Sequence, residues 1–155
     1  QCTSSLLKAA AIGPVQLKAM GARSPEQLRA LGYDTMDLVE PAFCAECVCA
    51  YGASSMLSEF LLTADDAVVL AGSAAMRQLG VDVGTLLVFC AANSSAAFEV
   101  LRQISPRGTA LMGVAPATIQ DTGLDAKALV DLGFSAVSVQ TQTLASTTQL
   151  LDLGF

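Results

Sequence analysis

The chain has 155 residues, of which 53% are hydrophobic and only 14% charged, with a net charge of −6 and a mean hydropathy of +0.55. An acidic chain without a basic cluster repels phosphate backbones and anionic lipid surfaces, so nucleic-acid binding is not expected. Histidine is absent, which removes Ser-His and Cys-His nucleophile pairs and the commonest metal ligand.

Taken in order, the chain reads as one ten-residue unit written again and again. Its fullest form is Ser24-Pro-Glu-Gln-Leu-Arg-Ala-Leu-Gly-Tyr33. Ser24 is a helix N-cap whose hydroxyl can take an orphan backbone N–H, Pro25 suits the first helical position, and Gln27 completes a capping box. Gly32 supplies the left-handed residue that ends the helix, and Leu28 faces Tyr33 across a Schellman turn. Leu28 and Leu31 share a face. The predicted element is a helix of about two turns, too short to stand alone, which must stack on its neighbours.

The same register runs through 3–12, 13–22, 24–33, 34–43, 44–53, 54–63, 64–73, 74–81, 82–91, 92–101, 105–114, 115–124, 125–134, 135–144 and 146–155. Arg23, the stretch 102–104 and Ala145 are extra residues, and 74–81 is two short. Pro41 stops the helix of 34–43 early. Units 125–134 and 146–155 carry Leu129, Leu132, Leu150 and Leu153 where the first full unit has Leu28 and Leu31. Of the twelve glycines, Gly21, Gly32, Gly52, Gly72, Gly80, Gly113, Gly123, Gly133 and Gly154 fall in the ninth place. About one in ten would do so by chance, so the period is real and predicts an all-α solenoid of about fifteen short helices, laid in two rows, in a single repeat domain.

Tandem units of the form Gly-aromatic-Ser/Asp-x-x-x-Leu-x-x-Leu resemble the short helical decapeptide-type repeats of long algal, protist and some bacterial proteins. Gly32-Tyr33-Asp34 to Leu38 and Gly133-Phe134-Ser135 to Val139 carry the likeness. The resemblance implies a scaffold or interaction role and brings no catalytic residue or cofactor with it.

A rival fold places buried strands at 67–71, 85–90 and 109–114 with helices at 73–79 and 94–104, a small α/β domain serving as an enzyme or ligand binder. The segment 71–74, Ala-Gly-Ser-Ala, stands where a nucleotide loop would, without the Gly-x-Gly-x-x-Gly spacing. A β-solenoid with five-residue sides fits the count as well, but the Ser-Pro-Glu-Gln cap and the many alanines speak against it.

Cys44, Cys47 and Cys49 put three thiols in six residues, with Cys90 and Cys2 elsewhere. With a distant partner they would make a tetrahedral zinc or iron–sulfur site, but no second close pair exists, and small buried residues are the plainer reading. Asp65-Asp66 belongs to a helix start. Lys8, Lys18 and Lys127 are scattered, Lys18 and Lys127 in solvent places. Leu31-Gly32-Tyr33-Asp-Thr has the look of a DNA-binding hairpin, but Asp34, Asp37 and Glu40 flank it and the turn recurs all along the chain.

The expected function is therefore non-catalytic: a scaffold or accessory subunit that binds other proteins in a larger assembly and takes no cofactor. No stretch reads as a membrane span, since the longest uncharged one, 132–151, is rich in Ser, Thr and Gln. The greasy composition suits a place extrinsic to a membrane complex, a photosynthetic one for example. The chain starts at Gln1 and stops at the end of a unit, which points to processing or to a portion of a longer chain, with an organellar location after loss of a targeting segment as one reading.

Overall fold

The computed structural model describes residues 4–60, 63–104 and 111–155, and among them the chain forms fourteen α-helices and no strand. In order these are α1 (Ser4–Ala9), α2 (Pro14–Ala19), α3 (Pro25–Ala30), α4 (Thr35–Leu38), α5 (Pro41–Tyr51), α6 (Ala53–Phe60) and α7 (Ala64–Leu70). They continue with α8 (Ala74–Leu79), α9 (Val83–Phe89), α10 (Ser94–Ile104), α11 (Pro116–Thr122), α12 (Ala126–Asp131), α13 (Ala136–Thr143) and α14 (Thr147–Asp152).

The start and stop signals act as local chemistry dictates. Asp34, Asp82, Asp125, Ser135 and Ser146 each accept, through the side chain, a bond from the backbone N–H three residues on, at 2.7 to 3.2 Å. Ser24 and Ser73 make no side-chain cap bond; at Ser24, Gln27 Oε1 accepts from the backbone N–H at 3.3 Å. At the other end of α3 the Gly32 N–H donates to Arg29 O (2.9 Å) and the Tyr33 N–H to Leu28 O (3.1 Å). That pair of bonds is a Schellman motif. It recurs after α12, where Gly133 donates to Val130 O (2.8 Å) and Phe134 to Leu129 O (2.9 Å), and again at Gly21, Gly80 and Gly154. All nine ninth-place glycines have positive φ.

Burial follows the decad. In 125–134 the fifth, eighth and tenth residues, Leu129, Leu132 and Phe134, are buried while the first and ninth are exposed. In 115–124 the same places hold Ile119, Thr122 and Leu124, all buried. Thr122 is tolerated there because its hydroxyl donates to Ile119 O at 2.6 Å.

The α/β alternative does not stand. The segment 67–70 lies in α7, 85–89 lies in α9, and 111–113 forms turns; 109 and 110 lie outside the described residues. Ala71 to Ser73 is the turn between α7 and α8. Three departures from the register also appear. First, Pro41 follows the one-turn α4 and opens the eleven-residue α5, whose cap, Glu40, accepts from the Phe43 N–H at 2.9 Å. Second, the unit expected to start at Ala92 starts at Asn93, which caps the Ala96 N–H at 3.1 Å, and residues 102–104 extend α10. Third, in 135–144 the left-handed residue is Leu144, and the extra Ala145 takes the buried tenth place.

The helices group into two compact units. One holds α1 to α6 and α8, the other α7 and α9 to α14. Within the first, Arg29 Nε donates to Phe60 O (2.7 Å) and the Tyr51 hydroxyl to Ala22 O (2.7 Å). Within the second, the Ala92 N–H donates to Asp121 O (2.7 Å), Gly113 to Gln142 O (3.1 Å) and Ala126 to Leu153 O (2.7 Å). A two-row stack would align residues about twenty apart. These bonds join residues 27 to 31 apart, so within each unit the chain comes back alongside itself after three repeats, not two.

Candidate functional site

The cysteines do not assemble. Cys44 and Cys47 are buried on α5, Cys49 on the same helix is exposed, and Cys90 is buried at the end of α9 in the other unit; all four are free thiols. Among the described residues no three Cys, Asp or Glu side chains come close enough to hold a metal ion. Burial pushes the Cys47 thiol up to about 12 and the Cys90 thiol up to about 11, and raises Cys44 as well. A thiol held neutral is neither nucleophile nor metal ligand. Cys2 lies outside the described residues. Asp66 sits in the first turn of α7, where its carboxylate accepts from the Thr63 hydroxyl at 2.8 Å.

A feature the sequence reading passed over lies at the sixth place of the first three repeats, which carries Lys8, Lys18 and Arg29. Lys8 pairs with Asp37 and lies 5.3 Å from the centroid of the Tyr33 ring. The Asp37 carboxylate holds the Lys8 ammonium above its ordinary pKa. Lys18 donates to the Ala50 carbonyl and lies 5.6 Å from the Tyr51 ring. Arg29 lies 4.9 Å from the Phe60 ring while its Nε bonds the carbonyl of the same residue. Each cation thus spans about thirty residues and ties one turn of three repeats to the next through a cation–π contact and a hydrogen bond. Lys18 is exposed, as its solvent place implies, and it also serves as a clasp. Three cations spaced ten to eleven residues apart are a signal that was present in the sequence. Their partners, Asp37, Tyr51 and Phe60, fall in three different places of the decad, so no simple spacing rule finds them.

An apolar hollow lies among the first three helices. A cavity of about 410 Å³ is lined by Leu7, Leu17, Met20, Ala22, Ala30 and Leu31 together with Gln27. It exists because of what fills the eighth and tenth places there. Ala10, Met20 and Leu31 occupy the eighth, and Met20 is 70% exposed; Ala22 occupies a tenth. In the last turn Leu132 and Leu153 fill the eighth place and are buried. Leu28, Leu129 and Leu150 are buried in every case, and Leu31 is half-buried. Other exposed large apolar side chains are Leu6, Val15 and Met36 in the first unit and Val88, Met112, Val130, Val137, Leu144 and Leu151 in the second. A hollow of this kind, with no titratable group on its wall, offers shape and apolar contact and no acid–base chemistry.

Comparison with known proteins returns no match to any family model, to any curated protein or to any solved structure.

Proposed function

We propose that this chain is a non-catalytic interaction protein, an accessory or scaffold subunit of a larger assembly. The observation that carries the reading is the open apolar hollow of the first turn, walled by Leu7, Leu17, Leu31 and the exposed Met20. Large exposed apolar side chains gathered on one surface mark places where another protein sits. Short helices stacked in repeats present such surfaces without building a deep catalytic cleft. The low charge suits a position beside a membrane complex, and among the described residues no helix is long and apolar enough to cross a bilayer.

The test is the native mass of the endogenous protein after gentle detergent extraction, read by size exclusion with light scattering. Elution in a large particle supports the assembly role, and the co-eluting chains identify the partners. Elution as a free 15.9 kDa species without detergent overturns it.

A further inference from the structure

We infer that the hollow beside Glu46 is where a partner protein docks an arginine side chain. This rests on the interaction reading above and deepens it by naming the chemistry the partner presents.

Gly13 is the key to the site. It stands in the first place of its repeat, where Asp34, Asp125, Ser135 and Ser146 cap their helices. A glycine has no side chain to cap with, and Gln16 Oε1 instead accepts from the Gly13 N–H at 3.2 Å. Backbone freedom does not call for a glycine here, because its φ of −89 is open to any residue. Space does. A Cβ on Gly13 would collide with Oε2 of Glu46 on α5. The bare Cα makes room for a carboxylate.

That carboxylate is left over. Glu46 is exposed and, among the described residues, makes no hydrogen bond or ion pair. Lys8 lines the same hollow, but Asp37 already matches its ammonium, and Asp34 adds a further negative charge nearby. Lys8 against Asp34, Asp37 and Glu46 is one positive charge against three negative, a net −2. The rest of the wall is apolar or aromatic. Ile12 and Pro14 line it, with the half-buried Phe43 and with Tyr33, whose ring stacks on Phe43 at 5.1 Å between centroids. All of these residues belong to the first unit. The hollow measures about 240 Å³, below the roughly 300–1,000 Å³ of pockets that take a whole small ligand. That is room for one side chain. Arginine meets every feature: its methylenes cover apolar wall, its plane lies against an aromatic ring, and its fork bonds a carboxylate through two N–H donors. The chain makes a contact of this kind within itself, where Arg29 lies 4.9 Å from the Phe60 ring and donates to the Phe60 carbonyl.

The test titrates the isotope-labelled 155-residue chain with acetyl-arginine amide and follows the backbone amide signals by NMR. One side chain in an open hollow is expected to bind with a Kd of about 10 mM, weak but readable as shifts. The shifts are expected at Gly13, Phe43 and Glu46 and should shrink as salt is added. Acetyl-citrulline amide, which keeps the shape and lacks the charge, should leave those signals in place. Glu46→Gln is expected to weaken binding about fivefold, because a charged acceptor becomes a neutral one. Gly13→Ala displaces the carboxylate without straining the backbone and should weaken binding similarly. Glu46 is exposed and the Gly13 angle is ordinary, so an unchanged thermal melt verifies folding in both variants. No shift at the hollow overturns the inference. So does an equal response to the citrulline probe or to acetyl-lysine amide, or unchanged binding in Glu46→Gln. Each of those results leaves the assembly role standing, which falls separately if the endogenous protein runs alone.

Discussion

The first turn of repeats, 3–33, and the last, 125–155, use one decad to opposite effect. In both, the fifth place is a buried branched aliphatic residue: Leu7, Leu17 and Leu28 in one, Leu129, Val139 and Leu150 in the other. In both, helices end on a glycine with positive φ at Gly21, Gly32, Gly133 and Gly154. The turns part at the eighth and tenth places. Leu132, Phe134 and Leu153 close the last turn, whereas Ala10, Ala22 and the exposed Met20 leave the first one hollow. The backbone program of the repeat is therefore independent of how well each turn fills its own core. Interiors pack densely only when side-chain volume is supplied. A repeat can keep its helix and still leave a surface unfilled for something else to cover.

Substitution at the shared and the divergent places tests that separation. Leu28→Ala and Leu129→Ala each empty a fully buried fifth place and are expected to cost about 2–5 kcal/mol in denaturant unfolding. At the eighth place the turns should disagree. Leu153→Ala is expected to cost on the order of 2 kcal/mol, and Met20→Ala less than about 0.5 kcal/mol. Equal losses at Leu153 and Met20 would remove the distinction between a filled turn and a hollow one.

The two units also differ in how they respond to base. Cys44 and Cys47 are buried in the first, Cys90 in the second, with Cys47 pushed to about 12 and Cys90 to about 11. A thiol whose folded pKa exceeds its unfolded value keeps its proton longer in the native state. Its contribution is fully present below the unfolded pKa and is lost as pH climbs from there through the folded value. Between pH 9 and pH 12 the Cys47 thiol should destabilise the fold by on the order of 3 kcal/mol, and Cys47→Ala should flatten that part of the pH profile. A thiol reagent at pH 8 should label the exposed Cys49 in the native protein and leave Cys44, Cys47 and Cys90 unlabelled until denaturant is added. Native labelling of Cys47 would contradict its burial.

Gly32 and Gly133 sharpen the other half of the comparison, the part the two turns share. Each has φ +90, and a side chain built on Gly133 meets nothing within 4 Å. The expected loss of about 1–2 kcal/mol in Gly133→Val is thus backbone strain and not a clash. Gly32→Val should lose a similar amount despite lying in the hollow turn. A loss at one site only would show that the repeat's stop signal depends on packing after all.

How far the sequence carries is visible at particular residues. The nine positive-φ glycines, the Asp and Ser caps and the helix-only fold are written locally, within ten residues of one another. That is why a single period exposes them. The return after three repeats is not local. It is made by pairs such as Arg29 with Phe60 and Gly113 with Gln142, about thirty residues apart and in unlike places of the decad. The shift at Asn93 and the early start of α5 at Pro41 turn on a single residue each, where weak repeats of Ala and Ser fit two registers equally. Cys44, Cys47 and Cys90 were legible as small buried residues, whereas Cys49 is exposed. The apolar hollow was not, because Ala22 and Met20 satisfy the same hydrophobic pattern as the residues that close the last turn.

The smallest effect expected lies inside the last turn. Leu144 ends α13 with φ +57, doing with a branched aliphatic side chain what Gly133 and Gly154 do on either side of it. A left-handed conformation costs an L residue about 1–2 kcal/mol. Leu144 is 87% exposed, so its side chain supplies almost no packing to offset that strain. Leu144→Gly relieves the strain and adds about 0.4–1 kcal/mol of unfolded-state entropy, which leaves an expected net gain of about 0.5 kcal/mol. Ala92, with the same φ, is the second instance, and Ala92→Gly should move the same way. Denaturant midpoints of the two variants are the measurement. If neither rises, the ninth-place glycines serve some purpose other than their backbone angle, and the Gly133→Val loss must be sought in the side chain. If both rise, the repeat's grammar holds even at two of the three described places, Ala11 (φ +53) being the third, where a residue other than glycine takes the left-handed conformation.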